Sequence, residues 1–161
     1  MTAFDDALAD DVVVRRVDRA DLLDVLRIER DSFPQPWPYD AFEGFVGESG
    51  FLVAVDDGVV GYVVGDVTPN FGRDIGHIKD LAVAPKARGR GVGRTLLERG
   101  LTTLALAGAT VVKLEVRESN DPARSLYRDV GFEPLRRVGR YYDDGEDALV
   151  MVLDVDEWRD G

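Results

Sequence analysis

The stretch LAVAPKARGRGVGR, residues 81–94, decides how the rest of the chain is read. It opens as the end of an apolar strand, stopped by Pro85. It then places Lys86, Arg88, Arg90 and Arg94 around Gly89, Gly91 and Gly93, with no carboxylate among them. Beyond it, Val92, Leu96, Leu97, Leu101 and Leu104 recur at helical spacing, and Gly108 can end that helix. A glycine joint between a strand end and a helix start lets backbone N–H groups turn toward one point. The helix N-terminus adds partial positive charge, and guanidinium groups add planar donors. Such a joint suits an anion with several oxygens, such as a pyrophosphate. A P-loop would need Gly-Lys-Ser/Thr, and a dinucleotide fingerprint would need G-x-G-x-x-G. Neither is present; the pattern is Arg88-x-x-Gly91-x-Gly93. Taken alone, the stretch also reads as a mere arginine-rich turn.

Outward from this joint, GHIKDLAVAP (76–85) and VVKLEV (111–116) read as strands on either side of the helix. Strand, helix and strand predict a right-handed parallel crossover. Before them, VVVRRV (12–17) reads as a strand. Leu22, Leu23, Val25, Leu26 and Ile28 read as a helix that Asp18 or Asp21 could cap. FPQPWP (33–38) must be a loop, and a short helix follows through Phe42 and Phe45. FLVAV and VVGYVVGDV, joined by DDG, form a hairpin. After 116, NDPARSLYRDVGF opens with an Asn or Asp cap and closes at Gly131, and strands near 132–141 and 147–154 end the pattern. The expectation is an α/β (mixed α+β) fold with about seven strands in a mixed sheet and about four helices. Residues 11–155 would form one domain behind an acidic, disordered arm at 1–10.

Composition narrows the chemistry. The chain has 161 residues, no Cys and one His, which excludes a disulfide framework and makes a zinc site improbable on composition. A net charge of −11 argues against general nucleic-acid binding. No apolar run approaches the roughly 20 residues of a membrane span. The acidic start is the reverse of a targeting segment, so a cytoplasmic protein is expected. Carboxylates are mostly Asp and Lys is scarce, which resembles proteins adapted to high salt; a merely acidic cytosolic protein is the other reading.

Three motifs in register with the glycine joint carry a family resemblance. LEVRESN on the next strand, LYRDVGF on the next helix and YYDDGEDALVM near the end resemble the GNAT acyltransferases. Within them they resemble the RimI- and Ard1-type protein N-terminal acetyltransferases. The likeness covers roughly 76–154. It implies the GNAT fold, acetyl-CoA as cosubstrate, no metal, and a protein or peptide N-terminus as acceptor, on a ribosomal protein or nascent chain. It implies a monomer or weak homodimer. Arg88, Gly89, Arg90, Gly91, Val92, Gly93 and Arg94 would hold the pyrophosphate. Leu81, Ala82 and Val83 would hold the pantetheine and acetyl carbonyl, with the Val83 N–H as oxyanion donor. Asn120 would bond the pantetheine arm. Glu115 would be general base and Tyr127 general acid, with His77, in GHI, a second candidate base. Tyr141 and Tyr142 would cover the substrate N-terminus, and Phe33 and Trp37 would line the other wall. Where some Ard1-type enzymes carry a Glu in that loop, this chain has Gln35. Two other readings stay open: a GNAT enzyme acting on a small amine or Lys side chain, and a non-catalytic acetyl-CoA-binding module.

Overall fold

The computed structural model describes residues 12–161, so the arm expected at 1–10 lies outside the described residues. Seven strands form one mixed sheet in the order β1-β2-β3-β4-β5-β7-β6. They are β1 (Val13–Arg16), β2 (Phe51–Val55), β3 (Val59–Thr68), β4 (Ile75–Val83), β5 (Val111–Arg117), β6 (Glu133–Val138) and β7 (Ala148–Asp154). Five helices accompany them: α1 (Leu22–Ser32), α2 (Tyr39–Glu43), α3 (Val92–Leu106), α4 (Asp121–Val130) and α5 (Val155–Asp160). The mixed α/β expectation and the seven strands hold. The additional helix is α5, whose six residues are too few to show a period; Asp154 caps it by accepting the Glu157 N–H at 3.1 Å.

The chain divides into two compact units, Met1–Gly65 with Asp80–Gly100, and Asp66–Lys79 with Leu101–Gly161. In the first unit, Leu22, Val25, Leu26 and Ile28 of α1 pack with Phe42, Phe51, Val53, Tyr62 and Val64 in one apolar cluster. Full burial of each large side chain contributes roughly 1.5–3 kcal/mol relative to exposure. The DDG turn closes the β2–β3 hairpin with Asp57 at φ 52° and Gly58 at φ 106°, the left-handed pair that a tight hairpin turn needs. Asp21 does not cap α1 with its side chain. Its carboxyl takes the Asp18 N–H at 2.8 Å and a two-point contact from Arg15 at 2.8 and 3.0 Å. Gly61 is required by space, because a Cβ there would lie 2.9 Å from Leu96 Cδ1 and 3.1 Å from the Ala82 carbonyl.

In the second unit, β5 alternates: Val112, Leu114 and Val116 are buried while Lys113, Glu115 and Arg117 are only partly so. β4 and β5 are parallel, as the crossover predicts, with His77 opposite Lys113. The strand expected at 132–141 ends earlier, at Val138. Arg140 turns into the left-handed region at φ 52°, and residues 141–147 form a loop. Among the described residues, no helix is long and apolar enough to cross a membrane.

Candidate active site

In the first unit, the glycine joint unfolds from β4 in a definite order. β4 ends at Val83, Pro85–Ala87 make a single 3-10 turn, and α3 begins at Val92. Gly89 and Gly91 both sit at φ 80°, where a side chain would be strained. A Cβ at Gly89 would meet nothing within 4 Å, so the glycine answers to backbone conformation and not to space. The Gly91 carbonyl accepts the Thr95 N–H at 3.0 Å, the first helical bond of α3. The N–H groups of Val92, Gly93 and Arg94 precede that bond and have no partner within the helix. Backbone donors are therefore gathered at residues 91–94, as an oxygen-rich anion requires.

The arginines each have partners outside the glycine stretch itself or along its helix. Arg88 Nε donates to the Val83 carbonyl at 3.0 Å, and its Nη2 lies 3.4 Å from Ser32 Oγ. Arg90 pairs with Asp56 at 2.9 Å, and Arg94 lies 3.6 Å from Glu98. Each guanidinium has a protein partner in the fold. Arg88 in particular ties the loop back to the last residue of β4. Leu81 and Val83 are half-buried and Ala82 is buried. Gly76, Ile78 and Ala82 of β4 are buried on one face, and Asp80, in phase with them, is only half-buried. There the Leu81 N–H turns to the Asp80 side chain, donating to Oδ1 at 2.9 Å.

Loop 33–38 starts where α1 stops, with the Phe33 N–H still bonded to the Glu29 carbonyl at 3.1 Å. Trp37 is half-buried, its ring 5.2 Å from Phe42 and 5.9 Å from Phe45. Its N–H donates to Glu29 Oε2 at 2.8 Å. Phe33 and Trp37 are thus both seated on the apolar cluster of this unit.

In the second unit, His77 Nε2 lies 2.6 Å from Glu115 Oε1. The two candidate bases, read separately in the sequence, are in direct contact. Burial pushes the Glu115 carboxyl up. The hydrogen bond and charge of His77, with the charges of Lys113 and Lys79, outweigh burial and hold it below the usual carboxylate range. Beside it, Tyr141 and Tyr142 pack edge to face at 5.0 Å. Burial, then the Glu115 charge, raises the Tyr141 hydroxyl. Burial pushes Tyr142 up to about 12, against the opposing effect of Arg117.

Arg117 organises this loop. Its guanidinium lies 4.1 Å from the Tyr142 ring centre and bonds Asp144 at 2.8 Å and Glu146 at 2.9 Å. Glu146 also accepts the Ser119 N–H at 2.9 Å. Asn120 is the N-cap of α4, where its Oδ1 accepts the Ala123 N–H at 3.2 Å. Its amide nitrogen remains the donor it can offer a ligand. Tyr127 is buried on α4, its ring 6.0 Å from Phe132 and tilted by 62°.

Three residues of the first unit escaped the sequence reading: Glu29, Tyr62 and Asp80. Glu29 is 1% exposed, and the Tyr62 hydroxyl bonds its carboxylate. The signal was present, since Leu22, Val25, Leu26 and Glu29 share one helix face at the spacing of i, i+3, i+4 and i+7.

The chain is similar to known proteins in sequence and in fold. The acetyltransferase (GNAT) family matches residues 21–132. An N-alpha-acetyltransferase of Sulfolobus acidocaldarius is 36% identical over 151 residues, covering 86% of this chain and 90% of that protein. A putative [ribosomal protein bS18]-alanine N-acetyltransferase of Bacillus subtilis is 34% identical over 148 residues, covering 89% and 96%. The crystal structure of Ard1 from Thermoplasma volcanium superposes with a TM-score of 0.82 at 27% identity, covering 89% of this chain and 97% of that one. With its strand order, its glycine joint and these relatives, the chain belongs to the GNAT family of acetyltransferases.

Proposed function

We propose that this chain transfers acetyl from acetyl-CoA to the N-terminal α-amino group of a protein, with a ribosomal protein or nascent chain as acceptor. The observation that carries the reading is the 2.6 Å contact between His77 and Glu115. It supports a paired base within the strand-borne motif that resembles protein N-terminal acetyltransferases. The relatives named for N-alpha and ribosomal-alanine acetylation support the same acceptor.

The proposed chemistry follows from what each group can do. An α-amine has a pKa of about 7.7–8 and a Lys amine about 10.4, so near neutral pH only the former is substantially uncharged. An ionised Glu115 can only accept hydrogen bonds, so Nε2 of His77 carries the hydrogen between them, and Nδ1 is the nitrogen free to accept a proton whenever the ring is uncharged. The pair takes one proton from the amine, through Nδ1 or through a water on Glu115. The amine nitrogen bonds to the thioester carbonyl carbon, and the oxyanion that forms accepts the Val83 N–H. The C–S bond breaks, and Tyr127 protonates the departing CoA thiolate. The donors at Gly91–Arg94 hold the pyrophosphate, the Asn120 amide bonds the pantetheine arm, and Leu81 and Ala82 line it. Tyr141 and Tyr142, fixed by Arg117, and Phe33 and Trp37 line the acceptor peptide.

The test is incubation of the purified chain with acetyl-CoA and peptides bearing free Ala, Ser, Met or Thr N-termini, with the modified nitrogen located by fragmentation mass spectrometry. Acetylation at the α-amine is expected. Acetylation of only Lys side chains or small amines would overturn the acceptor assignment.

A further inference from the structure

We propose that Glu29, Tyr62 and Asp80 are positioning residues that hold one carboxyl proton among them, and that this shared proton locks loop 33–38 and the 81–83 segment of β4 for acetyl transfer. The proposal rests on the acetyltransferase reading above for its kinetic consequences, but not for the proton itself.

The proton follows from counting hydrogens. Each carboxyl has an outer oxygen bonded to a backbone donor: Glu29 Oε2 takes the Trp37 N–H at 2.8 Å, and Asp80 Oδ1 takes the Leu81 N–H at 2.9 Å. Their inner oxygens converge on one phenol. Tyr62 Oη bonds Glu29 Oε1, and Asp80 Oδ2 lies 3.5 Å from it. Tyr62 has one hydrogen to donate and cannot serve both carboxylates. A hydrogen on Asp80 Oδ2 completes the set: Asp80 donates to Tyr62, Tyr62 donates to Glu29, and Glu29 accepts from both Tyr62 and Trp37.

The surroundings favour that state. Glu29 and Tyr62 are buried, at 1% and 0% exposure. The groups acting on Asp80 are Glu29 of α1, Tyr62 of β3 and the Leu81 N–H of its own strand. Phe42 of α2, edge to face with Tyr62 at 5.6 Å, adds no charge. No Lys, Arg or His is among the groups acting on Asp80. Two adjacent carboxylates, one buried and one half-buried, are costly without a cation, and one of them takes up a proton instead. Burial first, then the hydrogen bond and charge of Glu29, raises Asp80 well above the usual carboxylate range.

The consequence is mechanical. One end of the network holds the main chain of the loop at Trp37; the other holds the main chain of β4 at Leu81, two residues before Val83. Both features belong to the first unit. Loss of the proton would place two negative charges on one hydroxyl and loosen both ends.

Asp80→Asn, Asp80→Ala and Glu29→Gln test this in the intact chain. An Asn at 80 keeps the acceptor for Leu81 and offers an N–H in place of the O–H. It is expected to retain kcat and both KM values within about twofold at pH 7, whereas Asp80→Ala loses about tenfold in kcat. A Gln at 29 turns an NH2 toward either the Tyr62 O–H or the Trp37 N–H, and raises the peptide KM about tenfold while the acetyl-CoA KM changes less than about twofold. Thermal stability supplies a reading independent of catalysis. A raised folded pKa makes the wild type lose stability as pH rises from the unfolded value of about 3.9 toward the folded one, so the melting-temperature gain of Asp80→Asn over wild type grows as pH rises through that window. A gain that does not change with pH, or an Asn variant as impaired as the Ala variant, would overturn the proposal. A wild-type chain that acetylates no peptide would instead overturn the functional reading, and the melting curves would still decide the proton.

Discussion

Glu115 on β5 and Asp80 on β4 are both strand carboxyls, both partly buried, yet their neighbours drive them in opposite directions. Glu115 has His77 at 2.6 Å with Lys113 and Lys79 nearby, and these hold it ionised despite burial. Asp80 has a second carboxyl, Glu29, and a phenol, and these hold it protonated. Strand position and burial do not set the charge of a carboxyl; the sign of what surrounds it does. The difference separates two kinds of work. An ionised carboxylate behind an imidazole can help move a proton. A protonated one, locked among acceptors and donors, can hold a backbone in place.

The comparison breaks most visibly in kinetics. Replacing Glu115 by Gln makes it as neutral as Asp80 is proposed to be. Combined with His77→Asn, it should lower kcat on an N-terminal peptide by at least about a hundredfold, the usual contribution of general-base catalysis. The corresponding neutralisation, Asp80→Asn, should leave kcat nearly unchanged. Steady-state kinetics on both variants reads this directly, and a double variant with wild-type kcat would remove both residues from the base role. For the proposed general acid, Tyr127→Phe should lower kcat at least about tenfold while CoA binding, measured by calorimetry, is retained. Unchanged turnover would remove Tyr127 from the acid role.

How much of this was legible in the residues differs between the two carboxyls. The hairpin at Asp57–Gly58, the parallel crossover and the glycine joint follow from local patterns, and the structure has all three. Glu115 and His77 were each nameable from their motifs, but as rivals. Their contact depends on strands 38 residues apart in sequence lying in parallel register, which no local pattern encodes. The partners that the arginines of the joint take in the fold were illegible for a related reason. Arg90 finds Asp56, 34 positions away, so its orientation is set by a hairpin turn that the basic stretch does not contain. Glu29 was hidden among charged neighbours in RIERD, although its place on the apolar face of α1 marks it as buried. A charge in a helix is ordinarily solvated, and only its period shows otherwise.

Stability against pH sharpens the comparison, because the two carboxyls should give opposite signs. Glu115 has a lowered folded pKa. Its stabilisation is complete above the unfolded value of about 4.3 and is lost as pH falls through the folded value. Glu115→Gln should therefore cost about 1 kcal/mol near pH 7 and nothing once the wild-type carboxylate is protonated. For Asp80 the gain from Asn should instead grow toward high pH. Denaturant melts of the two variants at a series of pH values would show one difference closing toward acid and the other opening toward base. Parallel curves would mean that the two environments are not electrostatically opposed.

The smallest expected effect isolates a single cation. Lys79 follows Ile78 on β4, acts on Glu115 through its charge and lies 3.8 Å from Asp66. It is the last of the named influences that lower Glu115, behind His77 and Lys113. Lys79→Met keeps most of the stem and removes the charge, so the Glu115 carboxyl should rise slightly toward its ordinary value. If the rate depends on an ionised Glu115, the acid limb of the kcat/KM profile moves to higher pH, and the rate at pH 7 falls by no more than about twofold. Added salt screens the partly exposed ammonium over about 8–10 Å at 0.1–0.15 M and should shrink the difference between variant and wild type. The same substitution should leave the melting-temperature gain of Asp80→Asn unchanged, since Lys79 is not among the groups acting on Asp80. A shift in that gain would show that the ammonium acts on both carboxyls, and that the ionised and protonated sites are one coupled system.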